Sequence, residues 1–108
     1  EHLDLAARLV NPVGDTITFA RVKAIIVFAS EGNTNNVQMS VPAANGFSTW
    51  ALAASDGLTI RPGGIVALVA PDATAFVVTA GTGDLLTFTN AAAGSGVTYD
   101  VILIGVAA

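Results

Sequence analysis

The sequence predicts an all-β protein, a compact β-sandwich that is jelly-roll-like and carries a short N-terminal arm. Three observations predict it. Short apolar segments rich in Val, Ile, Thr and Phe recur along the chain, separated by clusters of Gly, Asn, Asp, Ser and Pro, which is the punctuation of an all-β domain. Within several of these segments apolar and polar residues alternate, the period of a strand with one buried face. The seven or eight short strands that result, in a chain of 108 residues, favour two packed sheets over a helix-bearing fold. An antibody-type sandwich lacks its cysteine landmarks here, since the chain has no cysteine.

The elements follow in order. In LDLAARLV, residues 3 to 10, Leu3, Ala6, Ala7 and Val10 fit a helical stripe, but NPVGD stops it at once. Residues 1 to 15 therefore read as an N-terminal arm or short helix ahead of a single domain over residues 16 to 108. TITFARVKAIIVFA (16 to 29) alternates as far as Lys23 and is then apolar on both faces. VQMSV (37 to 41), LTI (58 to 60), AFVVTA (75 to 80) and LLTFTN (85 to 90) are shorter strands. EGNTNN, ASDG, PGG, PDAT, GTGD and AAAGSG supply the turns between strands. AANGFSTWALAASDG (43 to 57) reads as a long loop with a short helix around residues 50 to 54.

Two strands raise a packing question. IVALVA (65 to 70) places Ile65, Ala67 and Val69 on one face and Val66, Leu68 and Ala70 on the other, and neither face is polar. VTYDVILIG (97 to 105) begins half exposed and ends apolar on both sides. A sheet in a lone sandwich buries one face only. We assign Ile65, Ala67 and Val69 to the core, and expect Val66 and Leu68 to meet another chain or the N-terminal arm.

Composition points the same way. Hydrophobic residues make up 53% of the chain and charged residues 11%, against about 45–50% (glycine included) and about 25% in ordinary domains. Such a chain has few groups to keep a monomer soluble, so some apolar surface is expected to be covered by other chains. The four Lys and Arg residues form no patch able to neutralise several phosphates, so no nucleic-acid partner is expected. The longest apolar run, AIIVFA at 24 to 29, falls well short of the about 20 residues that span a bilayer, and nothing before LDL reads as a signal peptide. No membrane association is expected.

The inventory of reactive groups is thin. The one histidine, His2, sits at the N-terminal end, so a histidine triad or histidine metal cluster is not expected. Asp56, Asp72 and Asp84 lie in turns, where carboxylates serve backbone N–H groups more often than calcium. GTGD lacks the lysine and following helix of a phosphate loop. No catalytic residue, metal site or cofactor is expected, and the protein reads as no enzyme. Phe47 and Trp50 share a loop and form a candidate glycan-stacking platform, against a packing role at one end of the sandwich or at a subunit contact.

Taken in order, TFARVKAIIVFAS, LTIRPGGIVALVAPDA, VTAGTGDLLTFTN and GVTYDVILIG resemble a family of small β-rich structural proteins of tailed bacteriophage virions. The resemblance covers most of residues 16 to 105 and is weakest over residues 31 to 57. It implies a non-enzymatic protein of the virion, most readily a capsid decoration or cement protein on the capsid surface. The alternatives are a carbohydrate- or receptor-binding head of a head or tail fibre, or a tail component. The expected partners are the chain itself, as a homotrimer, and a major capsid protein. The candidate interface residues are Leu3, Leu5 and Val10 in the arm and Val66 and Leu68 in the strand at 65 to 70.

Overall fold

A computed structural model describes residues 1–108. It is all-β and without helix: β1 (His2–Asp4), β2 (Leu9–Val10), β3 (Thr16–Ile17), β4 (Phe19–Ala29), β5 (Val37–Ser40), β6 (Gly57–Ile60), β7 (Ile65–Val69), β8 (Phe76–Val77), β9 (Leu85–Asn90) and β10 (Tyr99–Ala107). All strand pairs are antiparallel. One sheet has the order β1-β9-β5-β6 and another the order β10-β4-β7, with β8 also along β4, while β2 and β3 form a separate two-stranded ribbon.

The winding is that of one long ribbon. β4 runs against β7, and the next strand, β5, runs against β6, so the ribbon's first half lies in one sheet and its second half in the other. β9 and β10 extend its other flank, on β5 and β4 respectively. The Pro62-Gly63-Gly64 turn forms one corner of the crossing: Gly63 takes a φ of 76°, and Gly63 N and Ala29 N donate to Ala29 O and Gly64 O. Only glycine adopts that backbone angle without steric cost.

Both sheets feed one core. Val37, Met39, Ile60, Leu86 and Phe88 come from the first, and Val22, Ile25, Val27 and Ala29 from the second. Each large apolar side chain so enclosed stabilises the fold by about 1.5–3 kcal/mol. Along β4 the inward set skips a beat between Val22 and Ile25, because Lys23 is an extra residue opposite the step from Ile104 to Gly105. Such a bulge resets which residues face inward. Gly105 sits at this bulge, where a Cβ would collide with the Arg21 carbonyl oxygen and lie 2.8 Å from Phe19 Cδ1.

Several expectations are corrected. Residues 1 to 15 are neither a free arm nor a helix: β1 pairs with β9, and the N-terminal ammonium donates to Phe88 O at 2.6 Å. A lone two-turn helix is marginal in water, whereas the free edge of β9 offers backbone partners to an extended segment. The strand expected over residues 16 to 29 divides at Thr18, whose hydroxyl donates to Ala6 O at 2.9 Å as the chain moves from β2 to β10 as its neighbour. The strand expected over 75 to 80 shrinks to Phe76–Val77, since Ala75 takes a φ of 52° and Thr79 turns back to bridge Gly83. No helix forms at 50 to 54, where Asp56 Oδ2 instead accepts from Leu52 N and Ala53 N at 3.2 and 2.8 Å. The carboxylate satisfies the donors that helix growth would have used.

Candidate interaction surface

The two sheets show opposite chemistry on their outward faces. On the β1-β9-β5-β6 sheet, cross-strand rows outside the core read His2-Thr87-Ser40-Gly57 and Thr89-Gln38-Thr59. These are groups at ease in water, and His2 Nδ1 lies 2.7 Å from Thr87 Oγ1. A shallow depression of about 310 Å³ runs along β5 and β6 on this side, lined mainly by polar residues.

The β10-β4-β7 sheet is different. Its outward rows read Asp100-Phe28-Ile65, Ile102-Ile26-Ala67 and Ile104-Ala24-Val69, and beyond the bulge Val106-Arg21-Val77, the last contributed by β8. Ile65, Val69, Ile104 and Ile102 are 63%, 65%, 54% and 45% exposed, and Phe28, Val77 and Val106 are also open to solvent. Together these side chains present on the order of 600 Å² of apolar surface, the upper end of what a monomeric protein shows as its largest patch.

This arrangement corrects the face assignment made for residues 65 to 70. Val66 and Leu68 pair with Val27 and Ile25, whose side chains point into the core, and both pack against the core cluster. Ile65 and Val69 are the exposed pair. Periodicity shows two apolar faces but carries no sign, and register against β4 decides between them. The signal that could have found Ile102, Ile104, Ile65 and Val69 was present in the two strands that are apolar throughout.

The other candidate residues separate. Leu5 is wholly buried in the core, so it is no contact residue. Leu3 and Val10 come together with Leu9, Ile17, Phe19, Tyr99, Val101 and Leu103 around a groove of about 370 Å³. It lies along the seam between β1 and the inward side of β10. Phe47 is also fully buried, which corrects its place in a glycan platform. Trp50 is half-buried with its indole N–H held by Phe47 O at 2.8 Å, so the two rings offer no shared stacking surface.

Tyr99 closes one end of the groove. Its ring stacks on Phe88 with centroids 5.0 Å apart and planes 25° from parallel, and its hydroxyl donates to Glu1 Oε1. Burial of the phenol, then the hydrogen bond to Glu1 and the negative charge of Glu1, push its pKa above the ordinary value of 10.0. An acid with a raised folded-state pKa holds its proton more tightly when folded, so its contribution is complete below the unfolded pKa and lost as pH rises above it. The urea midpoint is therefore expected to fall as pH climbs past 10.0, and Tyr99→Phe is expected to reduce that fall. Equal slopes for the two chains would refute the link.

No group of three or more His, Asp or Glu side chains is arranged to hold a metal ion. Buried Asp84 directs Oδ2 to Gly81 N at 2.7 Å, and Asp56 serves Leu52 and Ala53 as described. Both carboxylates tie down the turns that carry them. Comparison with protein-family models, with curated proteins and with solved structures finds no match to this chain.

Proposed function

We propose that the chain is a non-enzymatic structural protein of a bacteriophage virion, a capsid decoration protein that associates with itself and binds major capsid subunits on the capsid surface. The observation that carries this reading is the apolar outward face of the β10-β4-β7 sheet, with Ile65, Val69, Ile102 and Ile104 open to solvent. A surface of this kind works by being covered, and covering it needs no reactive group. At about 25 cal/mol per Å² of apolar area removed from water, modest contacts become strong when repeated over a lattice. In the same reading the fold is a sandwich of jelly-roll type. The wrapped ribbon β4–β5 against β6–β7, flanked by β9 and β10, supports that winding.

The test uses particles of the encoding phage that lack this gene product. Labelled chain added to them is expected to co-sediment at a fixed ratio to the major capsid protein, and imaging of the label is expected to mark the capsid. Label on the tail or fibres would move the protein there. Absence of binding to any part of the particle would remove the reading.

A further inference from the structure

We infer that the outward face of the β10-β4-β7 sheet is covered by the same face of a second copy, stacked across a two-fold axis that runs perpendicular to the strands. This rests on reading that face as an interface, and it names the occupant.

Area is the first argument. About 600 Å² from each copy would bury about 1,200 Å², the lower bound for stable specific interfaces. The face is mainly branched aliphatic side chains, and identical apolar sheet faces pack on each other as the two inner faces of a sandwich do. The opposite sheet, with its Thr, Ser and Gln rows, offers no such complement.

Charge decides the orientation. By register the face carries one acidic residue, Asp100 at a corner, and one basic residue, Arg21 in the terminal row at the other end. The two rows are about 20 Å apart along the strands. Arg21 Nη1 donates to Ala73 O, and Nζ of the neighbouring bulge residue Lys23 donates to Asp72 O, both at 2.5 Å, so the basic end is fixed in place. Glu31 and Arg61, in the turns beyond the acidic end, are opposite in sign and add no net charge, and at the basic end Arg21 and Lys23 outnumber Asp72 and keep that end positive.

Two-fold stacking with the strands antiparallel sets each acidic end over the other copy's basic end. Asp100 then faces the Val106 position and lies one strand spacing, about 4.8 Å, to the side of Arg21 of the partner subunit. This occurs twice. Stacking with the strands parallel would instead bring the two Arg21 side chains together on the axis, a like-charge contact that disfavours that arrangement. The assembly so defined contains two copies, in place of the three expected from the family resemblance.

Sedimentation equilibrium on the intact chain tests this. The expected mass is about twice the 10.8 kDa of the chain. Ile102→Asp, at the β10 end of one of the middle rows of the face and 45% exposed, is expected to leave a folded monomer. Asp100→Arg and Arg21→Glu are each expected to weaken dimerisation about tenfold or more at low salt, and the double reversal is expected to restore most of it. Asp100 is exposed, so its variant should fold, and thermal melts identify any chain that does not. A monomer at every concentration, a trimer, a dimer indifferent to Ile102→Asp, or charge reversals that fail to compensate would each overturn the inference. A monomer that still co-sediments with phage particles overturns only the dimer. A dimer that ignores the particles overturns only the virion assignment.

Discussion

Phe88→Ala is expected to cost about 3–5 kcal/mol of stability. Phe88 is 1% exposed, sits opposite Met39 across β9 and β5, and stacks on Tyr99 from the other sheet. Its ring is thus a bridge between the two layers, and truncation would remove buried area and leave a cavity that flanking strands cannot fill without breaking their ladders. A domain of this size has about 5–15 kcal/mol in total, so the variant is expected to lose a large share of its margin. Urea denaturation checks it: the midpoint should fall with little change in slope. Thr89→Ala, next along β9 but outward, is expected to stay within about 0.5 kcal/mol. A Phe88→Ala loss below about 1 kcal/mol would mean that the layers are not held together there.

The second large effect is a contrast between neighbours. Leu68→Asp is expected to unfold the chain or destabilise it by about 3 kcal/mol or more, because Leu68 packs on the core opposite Ile25 and a carboxylate there would be buried without a partner. Val69→Asp is expected to leave the monomer's stability within about 1 kcal/mol, since that side chain is 65% exposed. It is expected to abolish self-association instead. Circular dichroism melts and light scattering on the two variants separate the outcomes. If Leu68→Asp gives a stable monomer and Val69→Asp an unfolded chain, the inward and outward faces of β7 have been exchanged.

Much of the strand map was legible. β9 occupies the residues that alternation indicated, β5, β6 and β7 agree to within a residue or so at each end, and the turn clusters fall between strands. The reason is local: period-two patterning and turn residues act over a few positions. Where longer-range partners compete, legibility failed. LDLAARLV carries a helical stripe, yet β9 has an edge to fill: His2–Asp4 extend along it, and a turn then takes Leu9–Val10 to β3. AFVVTA has strand composition, but Ala75 and the Thr79–Gly83 bridge bend it after two residues.

The exposed apolar face was legible as an excess and illegible as a place. A chain with 53% hydrophobic and 11% charged residues announces more apolar surface than one core can hold. Phe47 illustrates the other side, since an aromatic in a polar loop reads as exposed until the loop is folded over the end of the core.

By itself the sequence determined that the chain would be all-β, where its main turns would fall, and that the strands at 65 to 70 and 97 to 105 had two apolar faces to cover. Only the tertiary structure decided which faces those were. Inward and outward residues in a strand differ by one position, and that parity is set by pairing with a neighbour far away in the chain. Here the bulge at Lys23 resets it along β4, register carries it to β7 and β10, and Ile65, Val69, Ile102 and Ile104 are left facing out.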